Sequence, residues 1–339
     1  MDYIEYKMND ISKTIIGYDT LFNQIFNNLI NKKISNSLIF FGDKGIGKKT
    51  FTLSLLNKFY SHLDTNSNTS NLIYNNSHPN ILNISTEYDQ KTKKMKNDIS
   101  IDQIRNALPF IKNSSLNNRS KFLIIDTTDD LNISSSNSLL KILEEPNNDT
   151  YNILLVNQIS QLLPTIRSRC IKFFFPSPSF ENFSNIITNN NNEINDETIK
   201  FLYDLSNHSP GLALNLFNDD INLMLRNLFD IFKEKKSLSN KIDSLSNEVS
   251  KYSNNEYKIF LYIIKFILHN SIKLNKGINI NNFYNIKTLN SLKEVSNYID
   301  NKISFKIIKF INEHEKKIYK LNLDKKFFNL NIFSILENK

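Results

Sequence analysis

The sequence predicts an α/β domain with a doubly wound parallel sheet, followed by an all-α part. Short apolar runs bounded by polar residues recur between residues 37 and 175, with helical patterns between them. Runs of this kind are typical of buried parallel strands. A glycine-rich turn follows the first run directly, as in phosphate-binding α/β domains. From about residue 220 onward the pattern is uniformly helical, with Gly277 as the only glycine or proline.

Composition places the chain among ordinary globular proteins. Its 339 residues are enough for two or three domains, and 40% of them are hydrophobic and 22% charged. No stretch approaches the ~20 apolar residues of a membrane span, and Met1 to Glu5 lack the basic-then-apolar layout of a signal peptide. We therefore expect a cytoplasmic protein with no membrane partner. The single cysteine, Cys170, excludes an internal disulfide and a multi-cysteine zinc site.

The net charge of +8 has two interpretations that composition leaves open. A basic protein suits a nucleic-acid partner, but the abundance of Asn, Ile and Lys also fits a general compositional bias. Lysine is the default cation, because the chain has only five arginines. Two of these, Arg167 and Arg169, are separated by one residue. An arginine in such a chain indicates a place that needs the planar, bidentate guanidinium.

The spacing of apolar residues predicts the order of the elements. We expect helices over 21–30, over 49–60, from 101 onward with a kink near Pro109, and over 136–145. We expect strands over 37–41, near 81–84, in the run that ends at Asp126, and over 153–156 and 171–175. The regions 61–77 and 88–97 are expected to be loops, the second of them solvated. Five strands interleaved with helices make a five-stranded doubly wound sheet.

The loop after the first strand has the pattern of a phosphate-binding loop. It contains three of the chain's six glycines, Gly42, Gly45 and Gly47, and then Lys48. Backbone N–H groups of such a turn surround a phosphate, and the lysine ammonium adds positive charge. ATP with Mg²⁺ is the ligand that the pattern implies.

The sequence differs from the usual phosphate-binding loop at the residue after Lys48, where a Ser or Thr hydroxyl normally holds Mg²⁺. Lys49 stands at that position. Thr50 comes one residue later, about 100° further around the helix, where it is a candidate for contact with a phosphate but not for the usual metal ligand. The alternative, a loop retained only for its turn and packing, stays open.

Two further segments carry a resemblance to a known family. Residues 137–146 read N-S-L-L-K-I-L-E-E-P, and residues 163–170 read L-P-T-I-R-S-R-C. Together with the loop, they are similar to the bacterial sliding-clamp loader subunits of the AAA+ class, above all the delta-prime subunits of DNA polymerase III. The resemblance is dense over about residues 15–215. It implies an AAA+ nucleotide-binding-like domain over 1–176, a small helical lid over 177–220 and a helical collar domain over 221–339.

The resemblance also assigns roles to residues around the loop. Asp126 takes the position of a magnesium carboxylate, and Asn157 that of a polar sensor of the terminal phosphate. Active members place a glutamate after the aspartate to polarise the attacking water, whereas this chain has Thr127. They also carry a sensor arginine where this chain has Gly211. The expected consequence is a subunit that does not hydrolyse ATP at an appreciable rate.

Arg169 takes the position of the family's arginine finger, which projects into the ATP site of a neighbouring subunit. A guanidinium suits that task, because it neutralises charge that develops on the transferred phosphoryl group. The competing interpretation is an ordinary surface salt bridge.

The resemblance implies a non-hydrolysing clamp-loader subunit. Its partners would be the motor (tau/gamma) and delta subunits, the sliding clamp and, through the complex, primed DNA. Two other functions stay open: an active motor subunit of the same complex, and an unrelated P-loop kinase or nucleotide-binding regulator. Thr127 and Gly211 disfavour the motor subunit. The S-R-C segment (residues 168–170) and the helical third domain disfavour the unrelated P-loop protein.

Overall fold

The structure is a computed structural model. It describes residues 15–63, 68–89, 94–96, 98–113, 115, 119–145, 149–190, 194–217, 219–233, 238–280 and 286–337. The chain divides into two compact units. The first comprises Met1–Glu193 and Ser209–Gly211, and the second comprises Ile194–His208 and Leu212–Lys339. The boundaries expected at residues 176 and 220 stay predictions.

The first unit is built on a five-stranded parallel sheet with the strand order β2-β5-β6-β1-β7. A separate antiparallel pair is formed by β3 and β4. The strands are β1 (Ser37–Phe41), β2 (Ile81–Ser85), β3 (Tyr88–Asp89), β4 (Lys94–Met95), β5 (Lys121–Asp126), β6 (Thr150–Val156) and β7 (Ile171–Phe174). The α/β fold class with five parallel strands is thereby confirmed.

Helices cover both faces of this sheet, as the alternation of strands and helices requires. Two apolar clusters result, one around Phe40 and Phe51 and the other around Ile125 and Leu154. The helices that lie wholly in the first unit are α1 (Asp19–Ile30), α2 (Lys48–Leu63), α3 (Thr69–Tyr74), α4 (Ile101–Lys112), α5 (Ile133–Glu144), α6 (Pro164–Ser168) and α7 (Phe180–Asn190).

The register of the sheet brings the functional candidates to one edge. Phe41 at the end of β1 pairs with Val156 at the end of β6, and Asp126 at the end of β5 pairs with Leu155. Because all these strands are parallel, their carboxyl ends lie side by side, which is where ligands bind in open α/β sheets. The phosphate-type loop, Asp126 and Asn157 therefore meet at this edge.

Two loop predictions were wrong. The region 61–77 contains the end of α2 and the short helix α3, with residues 64–67 outside the described part. The helix α3 has only six residues, too few for its apolar positions to define a helical period. The region 88–97 contains the β3–β4 hairpin, whose residues 90–93 and 97 are also outside the described part.

The helix expected over 136–145 begins earlier, at Ile133. Asn132 caps it, because its side-chain Oδ1 accepts a hydrogen bond from the Ser135 N–H at 2.9 Å. An asparagine cap satisfies one of the unpaired amides at a helix start, and a polar Asn-Ile-Ser-Ser segment gives no apolar signal for it.

The second unit is helical throughout its described residues, as predicted. Its core is the long helix α12, which buries Tyr257, Phe260 and Ile264 and packs against α13 and α14. No helix of the described residues is long and apolar enough to cross a membrane. The helices are α8 (Asp196–Leu205), α9 (Pro210–Leu216, whose first two residues belong to the first unit), α10 (Asp219–Lys233), α11 (Leu238–Val249), α12 (Asn254–Asn275), α13 (Ile286–Tyr298), α14 (Asn301–Leu321) and α15 (Lys325–Glu337).

Candidate functional site: a phosphate-type loop with a paired second lysine

The loop between β1 and α2 has the backbone shape that its glycines allow. Gly42, Gly45 and Gly47 adopt φ values of 155°, 82° and 97°. At Gly42 a side chain is also excluded by space, because a Cβ atom would lie 2.2 Å from the carbonyl oxygen of Phe175. The sequence pattern therefore folds into the strand, turn and helix arrangement that phosphate-binding loops share.

Lys48 is buried at the start of α2, with 6% of its surface exposed. Its ammonium donates hydrogen bonds to the Gly42 oxygen (2.6 Å), the Asp43 oxygen (2.7 Å) and the Asn157 Oδ1 (3.0 Å). Burial lowers the Lys48 pKa to about 8, against the opposing attraction of Asp129, Asp126 and Asp43. The side chains of Lys48 and Asn157 are thus in direct contact at the edge of the sheet.

Lys49 forms an ion pair that the sequence pattern did not reveal. Its Nζ lies 3.0 Å from the Asp126 Oδ2, and the two side chains are 34% and 23% exposed. The lysine at the hydroxyl position of the loop and the carboxylate at the end of β5 therefore contact each other directly. Thr50 lies one residue further along α2 and is half-buried.

The acidic residues after β5 are engaged in local hydrogen bonds. Asp129 accepts the backbone N–H groups of Asn157 (2.7 Å) and Gln158 (2.9 Å), which ties the end of β5 to the end of β6. The Thr127 hydroxyl donates to the Asp130 Oδ2 at 3.3 Å. Burial raises the Asp130 pKa. Sequence reasoning did not find the role of Asp129, since a carboxylate that binds two amides has no pattern of its own.

The segment Ser209–Gly211 lies against the outside of the loop. The Ser209 hydroxyl donates to the Lys44 oxygen at 2.8 Å, and the Gly211 N–H donates to the Gly45 oxygen at 2.9 Å. A Cβ atom at position 211 would lie 2.8 Å from that same oxygen. The position expected to carry a sensor arginine in active relatives thus holds a residue whose backbone contacts the loop directly.

Gly211→Ala is expected to separate this segment from the loop, because the added methyl group meets backbone atoms that cannot move alone. We expect a loss of about 1–3 kcal/mol in the free energy of unfolding of the first unit, typical of overpacking. Hydrogen exchange of the Gly211 amide should become faster. Asn215→Ala, an exposed position of α9, is the matched control and should stay within ~0.5 kcal/mol. Unchanged exchange in the Gly211 variant would contradict the contact.

Arg169 lies at the C-terminus of α6, directly before β7, and its side chain is 36% exposed. Its guanidinium pairs with the Glu144 Oε1 at 2.8 Å and donates to the Thr165 oxygen at 3.0 Å. Both partners lie near the surface, and the arginine and the glutamate line an open cavity of about 430 Å³. Among the described residues, the ion pair and the hydrogen bond of Arg169 join it to α5 and α6 and not to the loop.

Comparison with known proteins shows where the similarity lies. The family described as DNA polymerase III, delta subunit, matches residues 17–179. The delta-prime subunit of Pseudomonas aeruginosa is 38% identical over 80 residues, which are 24% of each chain. The delta-prime subunit of Bacillus subtilis is 29% identical over 151 residues, 43% of this chain and 44% of that protein.

Two further similarities extend beyond that region. The DNA polymerase III gamma subunit of Buchnera aphidicola (from Schizaphis graminum) is 28% identical over 222 residues, 64% of this chain and 60% of that protein. The structure of a gamma subunit-related protein of Thermotoga maritima covers 93% of this chain and 97% of its own, with 16% identity and a TM-score of 0.42. The chain spans less than two thirds of the length of these three curated relatives. Residues 17–179 are therefore similar to the DNA polymerase III delta and delta-prime subunits.

Proposed function

We propose that this protein is a non-hydrolysing, delta-prime-like subunit of a bacterial clamp loader. In that role it joins the motor (tau/gamma) and delta subunits, supplies Arg169 to a neighbouring ATP site and helps to load the sliding clamp on primed DNA. Similarity to delta-prime subunits over residues 17–179 supports the assignment to DNA polymerase III. The geometry of the candidate site supports the finer assignment.

The observation that carries the non-hydrolysing role is the arrangement of carboxylates after β5. Asp126 is paired with Lys49, Asp129 is bonded to two backbone amides, and Asp130 accepts from Thr127. Thr127 itself offers only a hydroxyl, which cannot act as a general base near neutral pH. Each carboxylate of this segment has a local partner, and none is placed directly after Asp126, where the water-polarising residue belongs.

The ion pair between Arg169 and Glu144 is partly exposed, so Arg169 can exchange Glu144 for another anionic partner. An exposed ion pair contributes only about 0–1 kcal/mol, so the Glu144 contact is easily exchanged for a phosphate that carries more charge. The guanidinium would bind such a phosphate through two parallel N–H groups. Glu144 would then hold the arginine near the surface until a neighbouring site offers that phosphate.

The test of the non-hydrolysing role is steady-state ATPase activity. We expect the purified chain to show no activity above background, with or without clamp and primed DNA. The matched positive control is the motor subunit assayed under the same conditions. A rate of ~1 per second, ordinary for an enzyme, would refute the proposal.

A motor subunit is the second candidate, favoured by the longer match to a gamma subunit and by the presence of Lys48. The same assay separates the two, since a motor hydrolyses ATP and its loop lysine is required for that. A reconstituted complex provides a further distinction. A delta-prime-like chain should join motor and delta subunits in it without replacing a motor.

Lys48 yields a prediction for nucleotide binding. Near pH 8 the Lys48 side chain is unprotonated in about half of the folded molecules, because burial lowers the Lys48 pKa to about 8. A bound phosphate favours the ammonium and raises that pKa again, so ATP binding at this pH should take up as much as ~0.5 proton. Titration calorimetry in two buffers of different ionisation enthalpy measures this uptake.

The control for proton uptake is Lys48→Ala, which should weaken ATP binding and abolish the uptake. Equal heats in both buffers, with normal binding, would show that Lys48 does not face the phosphates. The absence of any heat or thermal shift at millimolar ATP would favour the alternative in which the loop is retained only for its turn.

A further inference from the structure

The pair of Lys49 and Asp126 occupies the two protein positions at which a P-loop holds its magnesium ion. In P-loop NTPases the ion is bound by the hydroxyl after the loop lysine and stabilised by a carboxylate at the end of a neighbouring strand. Here the first position carries an ammonium, and the second carries a carboxylate that lies 3.0 Å from it. These residues do not fit a divalent cation, because Lys49 would repel it and already neutralises Asp126.

We propose that the loop binds a nucleoside triphosphate without a divalent metal ion, with the Lys49 ammonium as a fixed cation in the metal's place. This inference rests on the nucleotide-binding part of the proposed function. The ligand class is the free triphosphate rather than its magnesium complex.

The chemistry of an ammonium permits this substitution. Lysine carries three N–H donors and no acceptor. One donor of Lys49 is used by Asp126, which leaves two that can turn toward phosphate oxygens. The carboxylate holds the ammonium at the end of β5, so the positive charge is positioned before a ligand arrives. Preorganised charge of this kind reduces the entropic cost of binding.

Two further lysines lie in or beside the loop close to Lys49. Lys48 lies beside Lys49, and the exposed Lys44 lies in the same loop. Asp129 is bonded to the amides of Asn157 and Gln158. The segment Ser209–Gly211 bonds to the carbonyl oxygens of Lys44 and Gly45 and not to their N–H groups.

The test compares ATP binding by calorimetry in excess Mg²⁺ and in excess chelator. The wild-type chain is expected to bind at least as tightly in the chelator, because free ATP carries two more negative charges than its magnesium complex. Lys49→Ser restores the hydroxyl and frees Asp126. This variant should lose ~10-fold or more in affinity in the chelator and recover it in Mg²⁺.

Two controls make the result specific to Lys49. Lys44→Ser removes one lysine from the same loop. This variant should still bind ATP at least as tightly in chelator as in Mg²⁺. Lys49→Met removes the ammonium without adding a metal ligand, so its affinity should fall in both solutions. Binding of Mn²⁺ in the presence of ATP, followed by electron paramagnetic resonance, is the independent readout. With the wild-type chain, the spectrum of Mn²⁺ and ATP should show no additional signal from a protein-bound ion. With the Lys49→Ser variant, a signal from protein-bound Mn²⁺ should appear.

Tighter wild-type binding in Mg²⁺ than in chelator would overturn the proposal, and so would the absence of ATP binding in both. Neither result would affect the assembly of the chain with its partner subunits or the role of Arg169. Those are measured in the reconstituted complex and do not require nucleotide at this loop. Failure of the metal-free site and failure of the clamp-loader function are therefore distinguishable.

Discussion

Arg169→Ala is expected to lower ATP hydrolysis at the neighbouring subunit's site by ~10³-fold or more, the usual effect of losing an arginine finger. The chain itself should fold and join its complex, because the lost contacts are one surface ion pair with Glu144 and one hydrogen bond to Thr165. The measurement is the clamp- and DNA-stimulated ATPase of a complex reconstituted with wild-type or variant chain. The rate of the whole complex should fall less than that of the single site if other sites have their own arginines.

Three variants control this prediction. Arg169→Lys should be nearly as damaging as alanine, since an ammonium cannot reproduce the forked contact. Arg167→Ala, outside the S-R-C triplet, should be milder. Glu144→Gln removes the partner of Arg169 but keeps the guanidinium, so activity should be retained. If Arg169→Ala leaves the ATPase rate unchanged in a complex shown to be intact, Arg169 is only a partner in a surface ion pair and not an arginine finger.

Phe51→Ala is expected to cost about 3–5 kcal/mol of the first unit's free energy of unfolding, as for other buried aromatics. Phe51 is 1% exposed, and its ring packs edge-on against three other phenylalanines, with centroid distances of 4.8 Å (Phe175), 5.4 Å (Phe22) and 5.7 Å (Phe40). It therefore joins α2 to α1 and to the sheet directly behind the phosphate-type loop. Hydrogen exchange of β1 and β6 with increasing urea measures the local free energy of opening.

Phe174→Ala is the matched control, because this phenylalanine of β7 is 59% exposed and contacts Phe41 at 5.3 Å. Its loss should cost less than ~1 kcal/mol. If both variants showed the same change in exchange, the aromatic cluster would not be the source of the stability. Nucleotide binding should weaken only in the Phe51 variant, because the start of α2 carries Lys48.

The central strands β1, β5 and β6 were predictable from the sequence because each is an apolar run buried on both faces. β1 and β5 end where they were expected, at Phe41 and Asp126, and β6 extends the expected strand back to Thr150. The helix α3 was missed since six residues are too few to show a period of 3.6. The β3–β4 hairpin was missed because two residues per strand leave no alternation to detect.

Less of the candidate site was predictable, because its contacts join residues far apart in sequence. The loop pattern indicated Gly42 to Lys48, and the positions of Asp126 and Asn157 at strand ends placed them nearby. No pattern specifies that Lys49 pairs with Asp126, nor that Asp129 binds the amides after β6. Such contacts depend on the registers of β1, β5 and β6, which only the folded sheet determines. The roles of Arg169 and Thr50 stay predictions.

The contact between Gly211 and Gly45 also couples two parts of the chain that are far apart in sequence. A Cβ atom at position 211 would lie 2.8 Å from the Gly45 oxygen and 3.1 Å from the Gly45 Cα. These are backbone atoms, which cannot turn aside as the end of a flexible side chain can. Position 211 is therefore closed to every residue that has a Cβ atom unless the loop itself moves, so the shape of the loop and the identity of this residue can change only together.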